Sequence, residues 1–489
     1  MDLRQGWPVR PRRRRHADGP RLRHHRWGHE AVTARAAEGI SALDLARRAV
    51  QLARRAGAEQ CDAIVVTGSE STVAVRLGEV EKLIEAGSLG LGLRVIIGGR
   101  TAVCSTSDLT PAALEQFAAE TVELAAISAP DEFAGLPDPS LFGRPADAAA
   151  LGLYDERIEA LSTDEKIRLA LAAEAAAFAA DPRITNTDGA SLSTHVGEVA
   201  LVNSLGFEGS YPATSISLAV EAIADDAEGK KRNGYWFSAE RSLSRLGDPE
   251  EVGRTAARRA VDQLGARKPA TTRVPVVFEP MMAISLLRHL AGCATGDALY
   301  RGATFLAGRE GQPLASPLVT IVDDPRLPGR FGTRPFDGEG VATRRNVLVE
   351  TGTFRGFLFD CYTARRLGRT TTGSASRSLE SAPSPSSSNL VLEPGSLAPG
   401  EILAGIPEGL YVTALMGAGF NPATGDYSRG AAGFWIENGQ LSYPVTEVNV
   451  SGNLAAMLAD IDGVGSDLTW FGSAAAPTVR IREMTVSGR

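Results

Sequence analysis

A glycine-rich stretch late in the chain, Met416 to Gly439, constrains the fold more than any other part of the sequence. It holds six glycines, which adopt backbone angles that other residues rarely take, with polar turn residues between them. An apolar run then leads to Asn438-Gly439, and the alternating residues Leu441, Tyr443 and Val445 follow. An Asn-Gly pair between two such segments indicates a β-hairpin. The stretch therefore predicts a long ordered loop that leads into a hairpin.

Several polar and aromatic side chains of this stretch are candidates for contact with a partner or an extended peptide. Arginine and tyrosine are favoured at the centres of protein interfaces. The candidate contact residues are Asp426, Tyr427, Arg429, Gly430, Phe434 and Trp435. One alternative stays open, in which Arg429 pairs with Asp426 or Glu437 and only holds the loop.

The composition is that of a soluble globular protein. With 489 residues the chain is long enough for two or three domains. No apolar run approaches the roughly 18 residues of a membrane span, so we expect a cytoplasmic protein without a membrane contact. The four cysteines are far apart and form no CxxC pair, which argues against a disulfide scaffold and against a zinc ribbon.

The charge is unevenly distributed. Residues 1–40 carry ten arginines and four acidic residues, a net charge of +6. Because the whole chain has a net charge of −7, the remaining residues carry −13. A basic arm can bind nucleic acid. This arm has no apolar periodicity, however, and we predict a disordered extension. The acidic body argues against nucleic acid as a partner.

Residues 41–267 predict an N-terminal α+β domain, which divides into two possible units, 41–130 and 151–267. Each unit alternates helices with β-rich runs and so favours an antiparallel or mixed sheet. The first unit predicts a helix capped by Ser41, a meander of short strands and a second helix that opens at Thr110-Pro111. The second predicts a helix over Thr163 to Ala180, strands over Ile184 to Ala224 with a turn at Asp188-Gly189, and a helix over Asp248 to Gly265.

Residues 268–489 predict a second domain that is rich in strands. It starts with the buried strand VPVVFEP and a helix over Met281 to Cys293 whose Leu286, Leu287 and Leu290 point inward. Beyond Phe305 the pattern is almost wholly strand and turn. The segment Thr370 to Asn389 holds eight serines and is predicted to be a mobile loop.

Four blocks of this second domain resemble one known family in sequence and order. They are the glycine-rich stretch MGAGFNPATGDYSRGAAGFWIENG, VTIVDDPRLPGRFGTRPFDGEG (319–340), NVLVETGTFRGFLFDCYTARRLG (346–368) and PSPSSSNLVLEPG (383–395). The likeness is to the TldD/PmbA family, formerly called modulators of DNA gyrase, and to its PmbA (TldE) branch. It extends from Ser41 to the C-terminus and is most specific beyond residue 270.

The resemblance implies that the zinc chemistry of this family belongs to another chain. The TldD branch carries HExxxH on the helix after the boundary strand, where the histidines bind zinc and the glutamate is the base. The corresponding segment here reads LRHLAG, so Leu287, Arg288 and Gly292 replace the motif. A late cysteine ligand of that branch would fall near residues 471–473, which hold no cysteine. The resemblance therefore implies no metal or other cofactor in this chain and zinc in a TldD-like partner.

Other candidate sites are weaker on their residues alone. His289 and Cys293 are spaced for one helical face with Asp297, but two such ligands do not hold zinc. His29-Glu30 begins HEAVTA without a second histidine. The pair Asp323-Asp324 and the residues Asp337 and Glu339 suit either a cation or ordinary turns, and we favour turns. The serine-rich segment contains no nucleophile elbow and has no histidine nearby.

We expect a non-catalytic subunit of a zinc peptidase that acts on unfolded or leader peptides. Its expected partner is a TldD-like HExxxH subunit in a heterodimer, or a second copy in a homodimer, and its ligand an extended peptide that pairs with a strand edge. Two alternatives remain. One is a peptide- or protein-binding regulatory module of the gyrase-modulator type, without a peptidase role. The other is a self-sufficient enzyme with an unrecognised site. The scarcity of histidine argues against it, since only His195 and His289 follow residue 40.

Overall fold

The computed structural model describes residues 41–144 and 150–488. The predicted extension at residues 1–40, with its HEAVTA sequence, lies outside the described residues. None of the helices in the described ranges is long and apolar enough to cross a bilayer.

The N-terminal part consists of one large sheet and its helices. The helices are α1 (Ala42–Arg55), α2 (Pro111–Ile127), α3 (Glu156–Glu159), α4 (Thr163–Ala180) and α5 (Pro249–Val261). The strands are β1 (Gln60–Arg76), β2 (Glu79–Ile97), β3 (Arg100–Thr106), β4 (Ile184–Asn203), β5 (Glu208–Asp225) and β6 (Lys231–Glu240). They pair antiparallel in the order β3-β2-β1-β4-β5-β6. Residues 41–130 and 151–267 therefore build the same sheet.

The helices begin where the sequence predicts. The Ser41 side chain accepts a hydrogen bond from the backbone of Asp44 and caps α1. Ser162 and Glu165 form a capping box at the start of α4, and Pro249 occupies the first turn of α5. These local signals satisfy backbone N–H groups that a helix start leaves without partners.

The two faces of the sheet have different neighbours. Because successive side chains of a strand point to opposite faces, Val65 and Val73 of β1 face the helices, while Ile64 faces away. Helices α1 and α2 cover one half of the helical face, and α4 and α5 cover the other. Ile64 packs with Phe207 and with Phe336 from the C-terminal part. The second face is thus where the two parts of the chain meet.

The strands of this sheet are longer than predicted. The β-rich runs between Cys61 and Ser107 were expected to be short and separated by glycines, but β1 and β2 are continuous over 17 and 19 residues. Asp188-Gly189 was expected to be a turn. It lies inside β4, where the register shifts between Thr187 and Gly189, so this prediction is wrong. A Cβ at Gly189 would meet the Val75 carbonyl oxygen at 2.3 Å, which explains the glycine.

The C-terminal part is rich in strands, as the sequence predicts. Its helices are α6 (Pro280–Cys293), α7 (Gly296–Tyr300), α8 (Cys361–Arg366), α9 (Pro399–Ala404) and α10 (Leu454–Ala459). Its strands are β7 (Thr272–Phe278), β8 (Ile321–Asp323), β9 (Asn346–Glu350), β10 (Thr353–Phe354), β11 (Ala375–Ser376), β12 (Ser384–Pro385), β13 (Leu390–Leu392), β14 (Glu408–Met416), β15 (Asp426–Glu437), β16 (Gln440–Asn453), β17 (Ile461–Val464), β18 (Thr469–Phe471), β19 (Ala474–Ala476) and β20 (Val479–Ser487).

Two six-stranded sheets enclose helix α6. One has the order β16-β15-β14-β7-β20-β17, and because β16 also pairs with β20, five of its strands close into a barrel. The other has the order β10-β9-β8-β13-β19-β18. Helix α6 packs against strands of both sheets, with Leu286, Leu287 and Leu290 buried as predicted. This position fixes the direction of every side chain on α6.

The glycine-rich stretch is only partly a loop. The loop covers residues 417–425, and the following residues form strand β15 rather than the longer loop that the sequence predicts. The hairpin prediction is confirmed: Asn438 and Gly439 both have positive φ, 51° and 76°, and join β15 to β16. The side chains of β15 therefore have fixed, alternating directions.

The serine-rich segment, Thr370 to Asn389, is not the mobile loop that the sequence predicts. Asn389 is fully buried and donates to the carbonyl oxygen of Asp324 over 2.8 Å. Ser388 is buried as well, and its hydroxyl donates to Asp323 Oδ1. Small side chains let the two ends of this segment pack in the core next to other main chain, while residues 380–382 in its middle are exposed. Its composition was mistaken for low-complexity loop sequence.

Candidate functional site

Helix α6 and strand β15 bring together residues that the sequence analysis considered separately. The imidazole of His289 stacks on the Phe420 ring, with 4.3 Å between centroids. The Tyr427 ring meets His289 edge-on, with 6.0 Å between centroids. Arg429 follows two residues later on the same side of β15 and acts electrostatically on His289. We call His289, Phe420, Tyr427 and Arg429 the His289 cluster.

The cluster contains buried polar atoms without partners. His289 Nε2 and Arg429 Nε are buried and make no hydrogen bond within the described part of the chain. Burial, followed by the charge of Arg429, lowers the pKa of His289. Burial raises the pKa of Tyr427 to about 12. At neutral pH the cluster therefore carries the positive charge of Arg429 beside a neutral imidazole and a neutral phenol.

We expect Arg429→Met to raise the pKa of His289, because the substitution removes a neighbouring cation that disfavours the imidazolium. An NMR titration of the imidazole measures this pKa directly. The control is Arg288→Met, since Arg288 lies on the exposed side of α6 and does not contribute to the lowered pKa. An unchanged titration of His289 in Arg429→Met would show that the two side chains are not in electrostatic contact.

The six predicted contact residues differ in their access to solvent. Tyr427 and Trp435 lie in the core and are 2% and 5% exposed. They can therefore position neighbouring residues but offer almost no surface for direct contact. Asp426 is exposed, and its carboxylate accepts from Thr424 Oγ1 over 2.7 Å. The remaining three, Arg429, Gly430 and Phe434, are half-buried. Their contact with a partner or peptide stays a prediction.

The alternative role of Arg429 is not seen. Arg429 forms an ion pair with neither Asp426 nor Glu437, whose carboxylates instead accept hydrogen bonds from Thr424 and Ser442. Arg429 therefore does not hold the loop through either of these ion pairs.

The helix positions that correspond to HExxxH face different surroundings. Leu287 is in the core, whereas Arg288 and Gly292 are exposed, and a Cβ at Gly292 would meet no atom within 4 Å. Burial raises the pKa of the Cys293 thiol to about 11, so it stays protonated. Asp297 pairs with Arg301 over 2.8 Å. In residues 41–144 and 150–488, no three His, Cys, Asp or Glu side chains gather as a metal site.

A second group of buried charges lies between the N-terminal sheet and the C-terminal part. Asp62 on β1 lies opposite Arg94 on β2, whose Nε donates to Asp62 Oδ2 over 3.0 Å. Arg377, from the serine-rich segment, places Nη1 at 2.6 Å from Asp62 Oδ1. Glu339 Oε1 lies 3.8 Å from Arg94 Nη1. We call Asp62, Arg94, Glu339 and Arg377 the junction cluster, because it joins the two parts.

The pKa values of the two carboxyl groups in the junction cluster are shifted in opposite directions. Burial raises the pKa of Asp62, but Arg377 and Arg94 outweigh it, so the pKa lies below its usual value. Burial raises the pKa of Glu339 to about 7, Arg94 partly offsets this rise, and Asp337 adds to it. Because Glu339 titrates near neutral pH, the strength of the junction depends on pH.

We expect Glu339→Gln to make stability less dependent on pH. Between about pH 4.5 and 7 the unfolded chain loses the Glu339 proton while the folded chain keeps it, so stability falls as pH rises. At about 1.4 kcal/mol per pH unit, the loss is roughly 3 kcal/mol in the native protein, and it is absent in the variant. Urea unfolding at pH 5 and pH 8 measures it. Glu350→Gln, on the exposed surface, should keep the native dependence, and an equal dependence in Glu339→Gln would contradict the assignment.

No local sequence pattern predicts the junction cluster. Asp337 and Glu339 have the pattern of turn residues, and the turn is confirmed, since Asp337 Oδ1 accepts from the backbone N–H of Glu339 and Val341. Asp324 likewise caps its own turn by accepting from the Arg326 N–H. Glu339 contacts Arg94, which in turn pairs with Asp62, and these residues lie about 245 and 277 positions earlier in the chain. Contacts over such separations have no local signal.

Models of three consecutive domains of one family match the chain. They describe PmbA/TldA metallopeptidase domain 1 (residues 61–125), the central domain (156–264) and the C-terminal domain (271–488). The chain is also 36% identical over 444 residues to Metalloprotease PmbA of Escherichia coli O157:H7, covering 90% of this chain and 96% of that protein. The chain belongs to the PmbA/TldD metallopeptidase family. The resemblance seen in the four sequence blocks is thereby confirmed.

A further relative and two solved structures are similar to this chain in length or fold. The PmbA homolog of Haemophilus influenzae is 34% identical and covers 90% of this chain and 94% of its own. The crystal structure of a putative modulator of DNA gyrase from Bacteroides thetaiotaomicron has a TM-score of 0.84 and 30% identity, covering 91% of this chain and 98% of that one. TldE from Thermococcus kodakarensis shares the fold, with a TM-score of 0.81, 22% identity and coverage of 90% and 99%.

The family name implies a metal, and the residues present do not fit one. Helix α6, where the resemblance leads us to look for a zinc motif, carries His289 and Cys293, and the Cys293 thiol is protonated. The guanidinium of Arg429 acts on His289 as a fixed cation, which opposes a divalent cation at the same place. A hydrolytic zinc site needs three protein ligands and an open position for water. No step of zinc hydrolysis can therefore be assigned to the side chains of this cluster.

Proposed function

We propose that this chain is the non-catalytic, TldE-like subunit of a cytoplasmic PmbA/TldD-type zinc peptidase. The proposal is supported by the sequence resemblance, which puts Leu287, Arg288 and Gly292 at the positions of HExxxH, and by the position of Arg429 beside the nearby imidazole. A family member that keeps its full length and fold but lacks the ligands suits a structural and substrate-binding role. Its partner would be a TldD-like subunit that holds the zinc and carries out hydrolysis.

The proposed substrate is an unfolded or leader peptide in extended conformation. Such peptides add to strand edges through main-chain hydrogen bonds, which place few demands on their sequence. The strand-rich C-terminal part offers β18 at one end of its second sheet, whereas the backbone of Phe354 in β10 is already hydrogen-bonded to Gly311 and Gln312. Arg429, Phe434 and Asp426 are the residues that we propose for peptide or partner contact on the barrel itself.

The test is assembly and activity with the HExxxH-bearing homologue from the same genome. The isolated chain should purify without zinc and leave an unfolded peptide intact. The mixture should form a 1:1 complex, measured by light scattering, with one zinc ion, and should cleave the peptide. A chain that cleaves alone would instead be a self-sufficient enzyme. A zinc-free homodimer that ignores its homologue would favour the regulatory binding module and overturn the peptidase proposal.

A further inference from the structure

Strand β2 leaves one of its edges open. It spans 19 residues, but β3 pairs only with its last part, Leu91 to Ile97. No other described strand pairs with residues 79–90 on that side. All residues from Glu79 to Ser88 are exposed, so both faces of this half of the strand meet solvent as well. We call residues 79–90 the β2 edge. The pairing of this edge with β1 has one irregularity, a β-bulge in which Glu81 is an extra residue opposite Ala74 and Val75.

Four of the exposed aliphatic side chains in residues 41–144 and 150–488 lie on this hairpin. Leu77, Val80, Leu83 and Ile84 lie within eight residues, and each is between 41% and 60% exposed. Single exposed apolar residues are ordinary, but four on one short hairpin form a patch. An open backbone edge with aliphatic side chains is the surface that another strand covers, because it supplies both the missing hydrogen bonds and apolar contact.

The tip of this hairpin is held rigidly in an unfavourable conformation. Leu77 has a φ of 53°, a left-handed angle that is rare for a residue of this size. The buried carboxylate of Glu174 accepts from the backbone N–H groups of Leu77 and Gly78, each over 2.8 Å. Thr187 Oγ1 in turn donates to Glu174 over 2.6 Å. The protein thus keeps a strained turn that projects a leucine into solvent, which is typical of a binding surface.

We propose that the β2 edge is the docking strand for the zinc-bearing subunit, which adds a strand to this sheet. This inference rests on the proposed function, since that function supplies the partner. The charges favour a different chain over a second copy. Glu79, Glu81 and Glu85 outnumber Lys82, so two copies of this edge repel each other, while a strand with basic residues complements it.

The experiment measures binding of the HExxxH homologue to the full chain and to two variants. Leu83→Lys/Ile84→Lys removes apolar contact and places positive charge on both faces of the edge, opposite the proposed basic strand, and we expect at least 100-fold weaker binding. The matched control is Leu124→Lys on α2, an exposed leucine of the same N-terminal part, and this variant should bind as the native chain does. Thermal unfolding of each free variant verifies its fold.

Amide hydrogen exchange gives a second readout that needs no substitution. Residues 79–90 should exchange at least tenfold more slowly in the complex, because their outward N–H groups become hydrogen-bonded. Equal affinity of the native chain and the Leu83→Lys/Ile84→Lys variant, or unchanged exchange at residues 79–90, overturns the docking strand while the proposed function stands. Failure of the native chain to bind the homologue overturns both.

Discussion

Asp62→Ala is expected to lower the free energy of unfolding by about 3–5 kcal/mol. The substitution leaves Arg94 and Arg377 buried without their shared carboxylate. Removing one partner of a buried ion pair is costly, because the remaining charges lose their compensation while staying out of water. Urea unfolding at pH 7 measures the difference.

The control for Asp62→Ala is an ion pair of similar length at the surface. Arg273 and Glu483 lie 2.6 Å apart, and both side chains are about half exposed or more. Glu483→Ala should have only a small effect, since water screens exposed pairs. Equal effects of the two substitutions would mean that the junction cluster is solvated and does not hold the two parts of the chain together.

Gly92→Ala is expected to destabilise the same junction by about 3 kcal/mol, the upper end of the usual range for overpacking. A Cβ at Gly92 would lie 2.3 Å from the carbonyl oxygen of Leu379 and 2.8 Å from its Cα. These are main-chain atoms, so the serine-rich segment that carries Arg377 must move. Thermal and urea unfolding measure the loss.

Gly292→Ala is the matched glycine control, and its expected change in the free energy of unfolding has the opposite sign. Gly292 lies in α6, and a Cβ there meets no atom within 4 Å. Alanine should stabilise the helix by roughly 0.5–1 kcal/mol. If Gly92→Ala were as harmless as Gly292→Ala, the close approach of the serine-rich segment to β2 would be incorrect.

Local sequence signals predicted the parts of the fold that depend on local physics. Ser41, the Pro249 helix start and the Asn438-Gly439 turn act within a few residues of themselves, and each is confirmed. The α+β class and the strand-rich C-terminal part follow from the periodicity of many such segments. The same reasoning failed for Asp188-Gly189, because turn chemistry also suits a bulge inside a long strand.

The features that relate distant residues were not predictable from one sequence. The serine-rich segment has the composition of a loop, yet tertiary packing buries Asn389 and inserts Arg377 against Asp62. For the candidate site, the sequence proposed His289 and Arg429 independently, and only the packing of α6 beside β15 brings them together. The resemblance predicts the loss of HExxxH, whereas no sequence signal predicts the neighbouring cation.

The most direct test of the central claim is peptide cleavage by the complex after two single substitutions, made one at a time. One alters the motif glutamate of the HExxxH subunit, and the other alters His289 of this chain. Replacing the motif glutamate of the HExxxH subunit by glutamine should abolish cleavage without loss of assembly. Replacing His289 by alanine in this chain should leave zinc content at one ion per heterodimer and the catalytic machinery in place. If cleavage persists in the first complex, or if the second loses its zinc, this chain carries a metal site of its own, and its assignment as the non-catalytic subunit is wrong.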